Sequence, residues 1–367
     1  MQATIAGFRM GFFSRKVESC LGVDIGAGGI KVVEARSDKH RARLSTYGFA
    51  DVVTATENPA SNLSGDLSAT SGILREICAR SHVEATRAVA SLPIAAVFSS
   101  IISLPRMTQK ELPAAVSWEA KKIVPLPLEE MIIDWKLLTP EAELTKKDVS
   151  STIRVLLTGA AKSLVEQYLT VFRQAKLELV SLETEAFALI RSLVGDDPSV
   201  VLILDIGAAR TSMVVVDDGV PVLSRGVDVG GNHITKAIAA ALGTSTDDAE
   251  QVKLDLAVAS VQTPASAALP GILANAVAPV IQEVRYGINL YLSQDSARGR
   301  VVEKIILAGG SALLPGITEI FAQALDLRVF VGDPWARVIY PVDLRPTLDA
   351  IGPRFAVSVG LAMREIH

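Results

Sequence analysis

Two similar segments, about half a chain apart, constrain this sequence more than any other feature. Leu21–Glu34 reads LGVDIGAGGIKVVE and Leu202–Val216 reads LILDIGAARTSMVVV. Each runs from an apolar strand through Asp-Ile-Gly and a tight turn into a second apolar strand, with Asp24 and Asp205 at equivalent points. A repeat at that distance is too long for a solenoid, so it predicts two similar domains within one protein.

The chemistry of the two turns indicates a ligand. Each segment predicts a β-hairpin whose turn exposes backbone N–H groups while the aspartate is held at a strand end. Two such turns facing each other across a cleft would cradle phosphates from both sides, with the aspartates holding a hydrated Mg²⁺. A single hairpin of this kind is equally consistent with a plain tight turn, whereas two copies in corresponding positions favour a nucleotide cleft.

The composition argues against several classes of protein. The 367 residues are 49% hydrophobic and 21% charged, which predicts two globular domains with a substantial core. The net charge of -4 gives no electrostatic reason to expect nucleic-acid binding. Cys20 and Cys78 form no C-x-x-C pair, which is typical of a reducing compartment. The four histidines are scattered without the spacing of zinc ligands.

A membrane segment has to be considered because the mean hydropathy is +0.36. The longest uncharged stretch, Leu256–Gln282, is interrupted by three prolines and diluted by polar residues, so it predicts no spanning helix. The N-terminus has no apolar core long enough for a secretory signal. We therefore expect a cytoplasmic protein.

The middle of the chain predicts a separate unit. Ala96–Ala175 reads as a small α+β block whose position between parts of the first domain suggests an insertion. Within it, Thr108 is the predicted N-cap of a helix that runs through Val124, with Glu111 as its capping-box partner. Gly195–Pro198 is the predicted hinge between the two halves of the chain.

Two glycine pairs in the second half also favour a ligand. Gly230 and Gly231 open a predicted helix, whose exposed N–H groups and positive dipole end suit an anion. A predicted strand then runs into Gly309-Gly310-Ser311, where a ligand can approach the backbone closely. Between these two sites, Gly271–Gln294 predicts a long helix despite Pro279.

Together these motifs resemble those of the actin-like ATPase superfamily, which includes actin, Hsp70, sugar kinases and FtsA. VDIGAGGIKVVE resembles its phosphate 1 motif, LILDIGAARTSMVVV its phosphate 2 motif and IILAGGSALLPGI its adenosine motif. Within the superfamily the chain is most similar to the PilM family of type IV pilus assembly. That likeness rests on SLPIAAVFSSIISLP, WEAKKIVPLPLEEMIIDWKLL and FAVSVGLAMR.

The resemblance implies an α/β fold in which two RNase H-like domains flank a nucleotide cleft, with an FtsA/PilM-type α+β subdomain inserted in the first. The first domain is expected over residues 19–95, 176–196 and 352–367, with the inserted subdomain over 96–175. The second domain is expected over 197–245 and 300–351, and a helical subdomain beside the nucleotide over 246–299.

The resemblance also implies roles for individual residues. Asp24 and Asp205 are expected to hold Mg²⁺ through water, and Lys31 to reach the β-phosphate as a point charge. Glu183 falls where some relatives keep the residue that orients the attacking water. The remaining expected contacts with ATP or ADP are made by Gly26, Ala27, Gly28, Gly207, Ala208, Gly230, Gly231, Glu250, Lys253, Gly309, Gly310 and Ser311.

Simpler interpretations remain open for some of these residues. Lys31 is also consistent with an exposed strand lysine, and Glu183 with a residue that merely ends a strand. Glu250 and Lys253 are also consistent with a surface pair on a helix. In addition, the second turn reads DIGAARTSM where active relatives have D-x-G-G-G-T-x-D, so an acid is missing and Arg210 is bulky. Rapid hydrolysis is therefore not expected, because phosphoryl transfer depends on precise positioning of water and metal.

The function implied by the resemblance is that of an ATP-binding adaptor of pilus assembly. Its expected partner is the short cytoplasmic tail of PilN, an inner-membrane protein, bound between the first domain and the inserted block. Motor ATPases of the PilB and PilT type and further copies of the chain are other expected neighbours. The alternatives are a sugar or small-acid kinase, an FtsA-like filament protein, or the cytoplasmic part of a type II secretion protein.

Overall fold

A computed structural model of the chain describes residues 19–51, 66–139, 152–258, 264–294, 297 and 299–366. The first 18 residues lie outside these ranges, as do residues 140–151, which belong to the expected inserted block. The described strands are β1 Ser19–Gly26, β2 Gly29–Asp38, β3 Arg41–Asp51, β4 Arg87–Leu92, β5 Val97–Pro105, β6 Met131–Leu137, β7 Thr152–Ala161, β8 Glu178–Thr184, β9 Val201–Ile206, β10 Thr211–Asp217, β11 Val220–Val227, β12 Lys304–Ala308, β13 Arg328–Val331 and β14 Val338–Ile339.

The α-helices lie between and after these strands. They are α1 Leu67–Arg80, α2 Leu112–Ile123, α3 Lys162–Gln174, α4 Glu185–Leu189, α5 Gly231–Leu242, α6 Thr246–Val258, α7 Pro264–Leu292, α8 Ile317–Leu325, α9 Arg345–Ile351 and α10 Ala356–Met363. The long helix α7 begins seven residues before the predicted start at Gly271 and contains both Pro270 and Pro279.

Two sheets follow one plan, which confirms the predicted fold class. The first has the order β14-β3-β2-β1-β4-β8 and the second the order β11-β10-β9-β12-β13. In each, three strands form an antiparallel meander, and parallel strands are added beside the first strand of the hairpin. The carboxyl ends of parallel strands meet at one edge, where ligands bind in open α/β sheets. Asp24 and Asp205 lie at these edges.

The inserted block contains a third, antiparallel sheet with the order β5-β7-β6. One face of this sheet packs against the apolar side of α2, in a cluster that includes Leu112, Val116 and Val155. The predicted capping box is half right. The backbone N–H of Thr108 donates to Glu111 Oε2 over 2.9 Å, but the helix starts only at Leu112, with Glu111 as its N-cap.

The last part of the range expected for the second domain, up to residue 351, packs against the first sheet. β14 pairs with β3 of the first sheet, although the prediction had placed it in the second domain. The preceding Trp335 is fully buried, and its indole N–H donates to the carbonyl of Leu348 over 2.9 Å. The Trp335 ring also packs beside Phe355, which leads into α10. Burial of Trp335 against Phe355 and its apolar neighbours therefore stabilises the packing of residues 334–351 on the first sheet.

The C-terminal helix α10 lies against β1 at a close approach. A β-carbon at Gly22 would lie 2.1 Å from the carbonyl oxygen of Ser358, so this strand position requires glycine. At the predicted hinge, Gly195 has a φ of 61° and ends a π-helical turn, Ile190–Val194. The guanidinium of Arg337 donates to the carbonyls of Ser192 and Val194 at 3.2 and 2.6 Å, which satisfies the end of that turn.

Candidate functional site

The first glycine turn joins β1 to β2 and holds Lys31 over itself. Asp24 and Lys31 are directly opposite on the two strands, and Lys31 Nζ lies 3.5 Å from Asp24 Oδ2. Their side chains are only 11% and 14% exposed, respectively. A β-carbon at Gly26 would lie 3.4 Å from Lys31 Nζ, so the ammonium group reaches back to the turn Gly26-Ala27-Gly28. Lys31 is therefore a mostly buried cation at the turn and not an exposed strand lysine.

The second turn is fixed by the start of α5. The backbone N–H of Gly231 donates to the carbonyl of Gly207, and that of Asn232 to the carbonyl of Ala208, both over 2.8 Å. A β-carbon at Gly230 would lie 2.4 Å from Gly207 O, so this contact requires glycine. The second turn and the Gly230-Gly231 start of α5 thus form one hydrogen-bonded unit.

The two turns meet across the cleft, and the two aspartates interact. A β-carbon at Gly28 would lie 2.9 Å from the Cβ of Ala208. Burial, and then the negative charge of Asp24, raise the pKa of Asp205 to about 7, while Lys31 acts in the opposite direction. A buried carboxyl whose ionisation is disfavoured by a neighbouring carboxylate, at the mouth of two glycine turns, is a suitable ligand for a cation.

The acidic pair suits Mg²⁺ that keeps most of its water. Within the described ranges, no group of three or more His, Cys, Asp or Glu side chains is arranged to hold a metal ion directly. Mg²⁺ in nucleotide sites is usually held by one or two carboxylates together with phosphates and water. The donor set therefore fits a hydrated Mg²⁺ bound with a nucleotide.

Lys253 points into the site, and its partner Glu250, whose side chain is 44% exposed, lies between the site and the surface. Lys253 Nζ donates to Glu250 Oε2 at 2.6 Å, to Thr235 Oγ1 at 2.7 Å and to the carbonyl of Gly231 at 3.2 Å. The lysine side chain is only 12% exposed. α6 thus delivers a buried cation to the glycine start of α5.

The third motif closes the same cleft. Gly309 has a φ of 82°, and a β-carbon there would lie 2.3 Å from the carbonyl of Ile206 and 2.7 Å from Asp205 Oδ1. A β-carbon at Gly231 would lie 3.1 Å from Ser311 Oγ. Next to it, Gly310 faces the side chain of Arg354. The predicted phosphate and adenosine motifs therefore converge on Asp205.

Glu183 does not face this cleft, which corrects its expected role. Both of its carboxylate oxygens bind the guanidinium of Arg191, at 2.7 and 2.9 Å, and Arg364 approaches to 3.2 Å. Glu183 pairs with Ser91 in the sheet, on the face that packs against the C-terminal helix. Strand alternation therefore directs its side chain into the protein, where it forms an ion-pair network.

The carboxylate near the cleft is Glu185, which the sequence prediction missed. Burial, followed by the charges of Asp205 and Asp24, raises the pKa of Glu185 to about 8, and Arg210 acts in the opposite direction. Its Oε2 accepts a hydrogen bond of 3.1 Å from the backbone N–H of Ile94. Its position in the sequence could have indicated this role. Glu185 directly follows β8, a strand parallel to β4, at the sheet edge where Asp24 lies and where ligands bind in α/β folds.

Comparison with known proteins identifies the family. The family model described as type IV pilus assembly protein PilM matches residues 22–366. This chain belongs to the PilM family. A solved structure titled PilM-PilN type IV pilus biogenesis complex contains a chain that is 26% identical, with a TM-score of 0.81. That match covers 96% of the present chain and 100% of the other.

More distant relatives place the PilM-family chain among actin-like proteins. It is 26% identical over 261 residues to the cell division protein FtsA of Neisseria meningitidis and 25% identical over 241 residues to that of Bacillus subtilis. The matches cover 66% and 59% of this chain, but only 61% and 54% of those FtsA proteins.

Two further structures share the fold. The ethanolamine utilization protein EutJ of Carboxydothermus hydrogenoformans has a TM-score of 0.56 at 18% identity, over 95% of this chain and 90% of that one. MreB5 of Spiroplasma citri bound to AMPPNP has a TM-score of 0.53 at 14% identity, over 94% and 95% of the two chains.

Arg210 lies in the second turn of this PilM-family cleft. Its guanidinium lies 2.6 Å from Asp228 Oδ1, and its side chain is 18% exposed. Its charge also reaches Glu185. The second turn thus carries a cation where the active pattern carries small residues.

Among the helices described by the structure, none is long and apolar enough to cross a membrane.

Proposed function

We propose that this chain is an ATP-binding adaptor of type IV pilus assembly that binds the cytoplasmic tail of a PilN-like inner-membrane protein. The observation that carries the nucleotide part is the convergence of three glycine motifs on the facing carboxylates Asp24 and Asp205. The partner part is supported by the similarity to the PilM-PilN complex over the whole of its matched chain.

The chain's own residues divide the work of holding ATP or ADP. The N–H groups of the two turns face the phosphates, and Lys31 supplies positive charge from the first turn. Lys253 and Ser311 lie beside the start of α5, on the nucleoside side. When bound, Mg²⁺ supplies charge neutralisation at the phosphates, and Asp24 and Asp205 would hold its water ligands. Slow or absent hydrolysis follows from Arg210, which occupies the turn where small and acidic residues are usual.

The groove proposed for the partner lies between the first domain and the inserted block. β6 is an edge strand in the described sheet order, which suits an extended peptide that pairs with a strand. Lys136 on this strand lies 5.8 Å from the ring centroid of Phe187 in the first domain. Its neighbour on the same face, Asp134, has a pKa raised to about 6 by burial, partly offset by a hydrogen bond from Trp135 N–H and by Arg364. On this face Lys136 is exposed and can meet a peptide, whereas Asp134 is buried beneath it.

The cellular setting follows from the same proposal. The adaptor would be cytoplasmic and would reach the inner membrane through its partner. Motor ATPases of the PilB and PilT type and other copies of this chain are further neighbours in the proposal, and nucleic acid is not.

Calorimetry with Mg-ATP tests the nucleotide part, and peptide binding tests the partner part. Asp24→Ala should weaken Mg-ATP at least tenfold, and unchanged affinity would refute the assigned cleft. Lys136→Glu should weaken binding of a synthetic PilN-type tail at least tenfold. Lys121→Glu, an exposed lysine on the opposite side of the inserted sheet, is the matched control. Equal effects of both variants would place the groove elsewhere.

A filament-forming protein is the second candidate, because FtsA proteins are among the relatives. Sedimentation of the purified protein with Mg-ATP separates the two functions. Pelleting of the protein alone, without a peptide partner, would favour the filament function over the adaptor.

A further inference from the structure

One hydrogen bond joins the nucleotide cleft to the entry of the inserted block. The charges of Asp205 and Asp24 raise the pKa of Glu185. Its Oε2 accepts a hydrogen bond of 3.1 Å from the backbone N–H of Ile94. Ile94 opens a single 3₁₀ turn, Ile94–Ala96, and β5 begins at the next residue. The first strand of the inserted sheet is therefore anchored, at its start, to a carboxylate of the cleft.

The short helix α4 contacts the inserted block a second time. Phe187 lies two residues after Glu185, and its ring faces Lys136 of β6. Because a helix rises about 1.5 Å per residue, the two positions are about 3 Å apart along its axis. α4 thus contacts the turn that leads into β5 through Glu185, and the edge strand β6 through Phe187. Any shift of the helix acts on both.

The charges around Glu185 make its position dependent on the cleft. Two carboxylates repel it from one side, and Arg210, held by Asp228 at 2.6 Å, attracts it from the second domain. A bound nucleotide brings negative phosphates to the turns that carry Asp24 and Arg210. Negative charge in the cleft favours the arrangement in which the Glu185 side chain lies away from the phosphates and towards Ile94 N–H, the donor to its Oε2.

We infer that Glu185 is a positioning residue that transmits occupancy of the nucleotide cleft to the inserted sheet, and so to the proposed partner groove. The inference rests on the nucleotide site of the proposed function. It assigns no contact between Glu185 and the partner. It explains how the nucleotide can alter a groove formed by β6 without any nucleotide atom reaching that strand.

Hydrogen exchange on the full chain tests this inference with Mg-ATP as the probe. In the wild type, saturating Mg-ATP should slow amide exchange in residues 26–29 and 207–210, which reports occupancy. It should also slow exchange at least threefold in residues 94–105. Glu185→Gln keeps an acceptor for Ile94 N–H but removes the acidic group that responds to charge in the cleft. Occupancy should therefore still be visible at the turns, while the response in residues 94–105 is lost. Glu178→Gln, exposed at the other end of β8, should respond like the wild type.

The outcomes separate the inference from the function on which it rests. Protection of the turns without any response of residues 94–105 in the wild type would overturn the inference and leave the nucleotide site intact. A full response in Glu185→Gln would also overturn it. No protection at either turn would overturn the nucleotide site itself. As a second variant, Ile94→Pro removes the donor at the first position of its 3₁₀ turn, where proline is tolerated, and should also abolish the response of β5.

Discussion

Replacing Asp205 with asparagine should stabilise the nucleotide-free protein and flatten its dependence on pH. Burial and Asp24 raise the pKa of Asp205 from 3.8 to about 7 in the folded state. The unfolded chain keeps an ordinary value near 3.9. Because the folded-state pKa is the higher one, the protonated carboxyl contributes stability that is present at low pH and is lost as pH rises from about 4 through about 7.

The size of the effect follows from the shift. Each pKa unit corresponds to about 1.4 kcal/mol, so between pH 5 and pH 8 the wild type should lose about 2–3 kcal/mol relative to Asp205→Asn. Glu185 acts in the same direction, and its repulsion from Asp205 is also relieved in the variant.

Urea denaturation of both proteins at pH 5 and pH 8, without nucleotide or divalent metal, measures this difference. Asp343→Asn removes an exposed carboxylate outside the cleft and should follow the wild type at both values. Parallel pH dependence of the wild type and Asp205→Asn, within about 0.5 kcal/mol, would refute the argument that the two aspartates share one desolvated site.

Three further variants separate structural from ligand-binding roles. Glu183→Gln should lower the free energy of unfolding by about 3 kcal/mol, because it leaves Arg191 without its buried anion. It should change the affinity for Mg-ATP less than twofold. A large loss of affinity would contradict the placement of Glu183 outside the cleft. Lys253→Met should weaken ATP about tenfold in calorimetry, whereas the exposed Lys236→Met should not; equal effects would exclude a direct role. Gly309→Ala should lower the melting temperature and abolish binding, because its φ of 82° and the carbonyl of Ile206 leave no room for a methyl group; a wild-type melting curve would contradict this.

The repeat of two Asp-Ile-Gly hairpins was sufficient to predict the two similar sheets. Each hairpin combines an apolar strand, an aspartate and a glycine turn, and each forms the centre of its sheet. The glycine pairs at Gly230 and Gly309 could also be recognised from the sequence, because a position where two backbone segments approach closely requires glycine. Convergence of these motifs follows from the strand order once both sheets exist.

What the sequence could not supply was the direction of side chains at strand ends and the long-range pairing of short segments. Glu183 and Glu185 are two residues apart, and the choice between them depends on where the strand gives way to α4. The pairing of Val338 with Ala42 joins parts of the chain that no local pattern connects. It is decided by the burial of Trp335 and its aromatic neighbours.

The central claim is that Asp24 and Asp205, one from each domain, serve a single metal-nucleotide. A double-mutant cycle of Asp24→Asn and Asp205→Asn, followed by calorimetry with Mg-ATP, tests it most directly. Each single variant should weaken binding at least tenfold, about 1.4 kcal/mol, and the double variant should lose clearly less than the sum because both carboxylates act on one ion. Unchanged affinity in either single variant, or strictly additive losses, would contradict the claim.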